Sequence, residues 1–251
     1  GWCVARTRAG RQDGAEIIYT RRTLGPHTQP MAAIASQLCD RYVAALDAVP
    51  AAEPSATPTP PGSSAESAGK GLRKLCETAE AELAAAAIVA LCASAGAART
   101  LCTTVAKATA AIDAIDADQE LDPAAGGLLP WGHLRVNALT VMLHMASSEA
   151  RCRELLASTE QQVPGVCSAV LSSAASRTDL EGVRVAANLL RTLSLPLPSR
   201  PELVAAAPGV LDALLAHVGH RDPNTAAVVA ATLRLLVEAT PVNAGRLAAS
   251  S

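Results

Sequence analysis

The sequence predicts an all-α protein assembled from repeated helical units, and three observations carry that reading. Pro164-Gly165-Val166-Cys167-Ser168-Ala169-Val170-Leu171 returns as Pro208-Gly209-Val210-Leu211-Asp212-Ala213-Leu214-Leu215, 44 residues later. Val185-Ala186-Ala187-Asn188-Leu189-Leu190-Arg191 returns as Val229-Ala230-Ala231-Thr232-Leu233-Arg234 at nearly the same interval. The composition is the third: half of the 251 residues are apolar, yet only 2% are aromatic and none is Phe. Ala alone makes up more than a fifth of the chain. Ala and Leu are the strongest helix formers, and the residues that favour strands are scarce. A core of such small side chains requires helices that lie close together.

The elements follow in order. Residues 1–30 carry five Arg against two acids and read as a basic arm. Ile34, Leu38, Tyr42, Val43 and Leu46 recur at three- and four-residue steps, which predicts an amphipathic helix over 31–48. The arm and this helix form a first segment, 1–48. Residues 49–71 are rich in Pro, Ser and Ala and read as a linker without apolar payload. The repeat domain is expected over 72–251, as about four units of which the last is incomplete. Within it helices are expected near 72–95, 98–115, 131–147, 149–157, 163–173, 181–194, 200–206, 208–219 and 224–239. An acidic loop separates the second from the third, and a final fragment runs from Asn243 to Ala249. Pro130, Pro164, Pro201 and Pro208 stand where a helix can begin, since a first turn tolerates Pro. Asp179 or Thr178, and further on Asn224, are the expected N-caps.

A helical period of about 40–47 residues resembles the armadillo and HEAT families. In the armadillo pattern a short first helix precedes a second that opens on a Gly-hydrophobic step, and a longer third is rich in Ala and Leu. Here Pro164–Leu171 and Pro208–Val218 resemble second helices. Leu134–Ala146, Val183–Leu195 and Ala226–Ala239 resemble third helices. The resemblance implies an armadillo-like α-solenoid, a right-handed superhelix of stacked helices. It also implies a non-catalytic scaffold that binds other proteins along its third helices. Nuclear-import adaptors of this family carry a Trp ladder and an Asn ladder there. The Trp places are filled by Ala86, Thr140, Asn188 and Ala231, and the Asn places by Ala90, His144, Thr192 and Leu235. That departure argues against a receptor for basic peptides. The implied groove instead holds Arg135, Thr140, His144, Arg184, Asn188, Arg191 and Arg234, a set suited to a partner helix or an acidic segment. Large cytoskeletal assemblies, cilia among them, use many armadillo-like proteins. A structural subunit of such an assembly is the expectation, with a transient adaptor as the alternative.

Other chemistry is weakly represented. A net charge of −2 and few aromatics offer nucleic acid neither a field nor a stacking platform. The seven cysteines form no Cys-x-x-Cys pair and mostly sit among Ala, Leu and Val. They read as packed thiols of a reducing, cytoplasmic compartment. The uncharged run from Leu83 to Ala98 is short of the roughly 20 residues a membrane span needs. His217, His220 and Asp222 suggest a metal, but the second His falls at a helix end. Gly69-Lys70-Gly71 lacks the upstream Gly and the hydroxyl residue of a phosphate loop. The alternating acids 116–122 lack the Gly and Glu of a calcium loop. No cofactor or metal is therefore expected. The competing enzyme reading rests on Cys152, flanked by Arg151 and Arg153, with His144 as its base.

Overall fold

Where the sequence places a linker, the chain forms a helix. In the computed structural model, α2 runs from Ser63 to Cys76, so the expected linker of 49–71 ends by Gly62. Its composition is poor in large apolar residues, but those present share one side: Ala65, Ala68, Leu72, Leu75 and Cys76 are buried. Small residues let this helix sit close to its neighbours. A Cβ on Gly71 would lie 2.7 Å from Cζ of Tyr42, and one on Gly69 would lie 3.1 Å from Cδ1 of Leu134.

The structure describes residues 29–50, 61–118, 128–148, 150–157, 162–173, 179–195 and 200–239, with 242, 244 and 245. The basic arm, most of the acidic loop and most of the final fragment lie outside these residues. Eleven helices and no strand occur among the described residues, so the chain is all-α. Besides α2 they are α1 (Gln29–Asp47), α3 (Ala81–Ala93), α4 (Ala95–Asp118), α5 (Leu128–Ser148), α6 (Ala150–Ala157), α7 (Val163–Ser172), α8 (Leu180–Leu193), α9 (Arg200–Ala206), α10 (Val210–Ala216) and α11 (Pro223–Ala239).

The run expected over 72–95 is two helices, because α2 stops at Cys76 and the chain turns before α3. Ser94 then breaks the uncharged run. Its backbone is extended (φ −97°, ψ 103°), its hydroxyl accepts from the Ala97 amide, and the chain bends by 89° between α3 and α4. No single helix among the described residues is long and apolar enough to cross a membrane.

Two rows of helices organise the packing. In one, α2 packs on α5, α5 on α8 and α8 on α11. In the other, α4 packs on α7 and α7 on α10. The short α6 and α9 touch each other beside these rows, while α1 packs on α2, α3 and α4. The amphipathic helix expected at 31–48 is thus part of the packed body. Leu134, Leu139, Val141, Met142 and Met145 of α5 are all buried, as a helix apolar on nearly every side must be.

Two of the helix caps share one arrangement. Asp179 Oδ1 accepts from the Gly182 amide at 2.9 Å, as the sequence predicts. At α11 the cap is Asp222, not Asn224: its Oδ2 accepts from the Thr225 amide at 3.1 Å. An Asp caps three residues ahead in both cases, so α8 and α11 correspond at an offset of 43 (179 to 222). The second helices correspond differently. Gln162 (φ 54°) and Gly209 (φ 74°) are the left-handed residues before α7 and α10, 47 apart. Pro164 and Gly165 lie inside the first turn of α7, whereas Pro208 and Gly209 precede α10. The written echo at 44 therefore divides into two structural offsets.

One expectation about cysteine does not hold. Cys92 of α3 and Cys152 of α6 are joined by a disulfide with Cα atoms 5.6 Å apart. Sequence spacing gave no sign of it, because the partners are 60 residues apart and approach only in the folded body. Cys39, Cys76, Cys102 and Cys167 are free and buried, as packed thiols should be.

Candidate partner-binding face

The seven residues of the expected groove separate into buried and exposed sets. Arg135 belongs to the interior, with only 1% of its side chain exposed. Its Nη2 donates to Asp179 Oδ2 at 2.5 Å, and its Nη1 donates to Thr109 Oγ1 at 3.5 Å. It ties α5 to α4 and to the cap of α8, so it cannot meet a partner's carboxylate. Thr140 is also buried, and its hydroxyl makes no hydrogen bond among the described residues. The expectation that these two line a groove is corrected by the packing of α2 and α8 on α5. A signal was present: at helical spacing Arg135 shares its side of α5 with Trp131, Ala138, Leu139 and Met142, away from the exposed His133 and half-exposed His144.

His144 is half-exposed and faces α2. Its Nε2 lies 3.5 Å from Glu77 Oε1. Arg73 Nε donates to the same carboxylate oxygen at 3.0 Å. Arg73 Nη1 donates to Asn137 Oδ1 at 3.4 Å and lies 3.7 Å from Glu181 Oε1. This polar cluster joins α2, α5 and α8 across the row. Sequence reading missed it because its partners are far apart in the chain, Arg73 and Asn137 by 64 residues. Exposed pairs of this kind contribute roughly 0–1 kcal/mol each, so the cluster shapes the surface more than it holds the fold.

The remaining four residues lie on α8 and α11, two helices that pack on each other. Arg184 and Arg191 are exposed and seven positions apart, hence on one side of α8 and roughly 10 Å apart along its axis. Asn188 stands between them, and its Nδ2 donates to the Arg184 carbonyl at 3.0 Å. Arg234 occupies on α11 the place that Arg191 holds on α8, at the same offset of 43 (191 to 234). It pairs with Glu238 at 2.6 Å while remaining 78% exposed, and that hydrogen bond raises its pKa further. α8 therefore presents two exposed guanidinium groups on either side of an amide, and α11 presents a third, paired with Glu238. Planar guanidinium forks bind carboxylates in pairs of hydrogen bonds.

A cleft of about 370 Å³ opens between the end of α6, the start of α7 and α9. Leu203, Ala206, Ala207 and Pro164 give it an apolar wall.

The alternative chemistry is not assembled. Cys152 is buried and bonded to Cys92, which removes it as a nucleophile, and the near neighbour of His144 is Glu77. His217 is buried, with Nε2 2.8 Å from the Leu171 carbonyl, and so ties α10 to α7. His220 Nδ1 accepts from the Asp222 amide at 3.1 Å. No group of three His, Cys, Asp or Glu able to hold a metal occurs among the described residues. Gly69, Lys70 and Gly71 lie inside α2. No protein-family model, curated protein or solved structure matches the chain.

Proposed function

We propose that the chain is a non-catalytic scaffold of armadillo-like architecture that binds other proteins through its row of long helices. The observation that carries this reading is the serial packing of α5, α8 and α11, with matching caps and a matching Arg on the last two. In this reading α6, α7 and α8 are the first, second and third helices of one unit, and α9, α10 and α11 those of the next. Stacked units of this kind leave an extended surface, and they use it for partners. The exposed Arg184, Arg191 and Arg234 suit an acidic helix or an acidic extended segment.

The architectural role in a large assembly, and a place on the cytoskeleton, rest on analogy with armadillo-like proteins of such assemblies, while the Cys92–Cys152 bond removes the cysteine argument for a reducing compartment. The test is a native pull-down at moderate salt with cross-linking and mass spectrometry, using the wild type and R184E/R191E. A stoichiometric partner that cross-links to α8 or α11, and is lost in the charge-reversed variant, is the expected result. Recovery of the same partner with both forms would exclude the Arg face. Recovery of the chain alone would exclude the scaffold.

A further inference from the structure

We infer that the Cys92–Cys152 bond is a reversible exchange site: a small monothiol opens it by attack on Cys92 Sγ, and the opening releases α6 from α3.

Exposure selects the sulfur that is reached. Six cysteines lie among the described residues. Cys39, Cys76, Cys102, Cys152 and Cys167 are all buried, at 6% exposure or less. Cys92 alone is half-exposed. A thiolate arriving from water therefore meets Cys92 before any of the others. Position in the helices selects the sulfur that leaves. Cys92 is the last residue but one of α3, whereas Cys152 is the third residue of α6. Negative charge is favoured in the first turn of a helix and opposed in the last. The half-exposed Arg153 follows Cys152 directly and adds a cation near it. Both sources of charge favour departure of the electron pair on Cys152 Sγ.

The exchange balances without an external oxidant or reductant. The monothiolate sulfur bonds to Cys92 Sγ as the Sγ–Sγ bond breaks, and the electron pair of that bond goes to Cys152 Sγ. The products are a mixed disulfide on Cys92 and a thiolate at Cys152, which takes a proton from water. Closure is the reverse: the Cys152 thiolate attacks Cys92 Sγ and expels the monothiol.

The packing shows what the bond holds. α3 packs on α1, α2, α4 and α5, whereas α6 packs on α5, α7, α8 and α9. Only α5 is common to both sets, so the sulfur bridge is the main direct tie between α3 and α6. α6 has eight residues, and Ala157 at its end lines the cleft beside α9. Thiol exchange at Cys92 thus reaches the cleft through α6.

The probe is glutathione. The native chain is incubated with it at about pH 8, where a thiol is partly ionised. Acid stops the exchange, and N-ethylmaleimide then marks free thiols in denaturant. Peptide mass spectrometry should find glutathione on Cys92 in about tenfold excess over Cys152, with maleimide on Cys152. Glutathione mainly on Cys152, or a bond that exchanges only after denaturation, overturns the inference. Two variants read the same asymmetry without a disulfide. Iodoacetamide should alkylate Cys92 in native Cys152→Ser and spare Cys152 in native Cys92→Ser. Equal labelling of the two overturns the assigned direction. Hydrogen exchange reads the release: opening with glutathione should speed deuterium uptake in α6 while α5 keeps its protection. Unchanged uptake in α6 overturns the release of that helix.

Discussion

Asp179 serves two helices at once. One carboxylate oxygen caps α8 and the other holds the buried guanidinium of Arg135. Asp179→Ala removes the cap and strands a charge in the interior, which costs about 3–5 kcal/mol when a buried pair loses one partner. Asp179→Asn keeps an acceptor for the Gly182 amide and loses only the ionic part, so it should cost less than the Ala variant. Urea denaturation of both variants measures the order, and equal losses would mean that the ion pair alone matters. The free thiols give a pH prediction. Burial pushes Cys39 up to about 11 and Cys102 up to about 12, and burial with the nearby Cys39 pushes Cys76 up to about 12. Burial raises Cys167 as well. In the unfolded chain a thiol ionises near roughly 8.5. A raised folded pKa means the stabilisation is complete below that value and is lost as pH rises towards the folded pKa. Chemical stability should therefore fall progressively above about pH 9, and Cys39→Ala/Cys102→Ala should flatten that decline even if it lowers stability at pH 7. At pH 8, iodoacetamide should leave all four thiols unmodified in the native protein, as read by peptide mass spectrometry.

Among the elements, the long apolar helices were legible in the sequence and α2 was not. The expected 131–147, 163–173, 181–194 and 224–239 lie within a few residues of α5, α7, α8 and α11, because periodicity and Pro punctuation reflect forces local to each helix. α2 depends instead on what it packs against. Its Gly71 approaches the Tyr42 ring of α1 so closely that a methyl group there displaces the ring. Gly71→Ala should thus destabilise the wild type, although Ala is the better helix former by about 1 kcal/mol. In a Tyr42→Ala background the same change should become neutral or stabilising, and a double-mutant cycle by thermal denaturation measures the coupling. Of the groove, the exposed Arg184, Arg191 and Arg234 were legible as polar positions on their helices. The burial of Arg135 and the arrival of Arg73 and Glu77 were not, because both depend on pairs 44 or more residues apart. The register was misread for a related reason: the eye aligns identical letters at 44, whereas capping aligns α8 with α11 at 43.

For the whole molecule, the Cys92–Cys152 bond closes a 60-residue loop between helices that otherwise share few contacts. Loop-closure entropy for that length gives about 4 kcal/mol of stabilisation. Reduction with dithiothreitol should lower the melting temperature, and Cys92→Ser/Cys152→Ser should show the lower value with or without reductant. An unchanged melting temperature on reduction would exclude a contribution from the bond. The row from α2 to α11 has a further effect on how the molecule opens. α5 is covered by α2, α3, α4, α6 and α8, so its amides reach solvent only after a neighbour has left, whereas among the described residues α11 packs on α8, α9 and α10. A chain of nearest-neighbour contacts loosens from its weakest end. Deuterium should enter the amides of α11 first, those of α8 next and those of α5 last. Opening is then a graded event with a direction, and a ligand seated on α11 would slow exchange along the entire row.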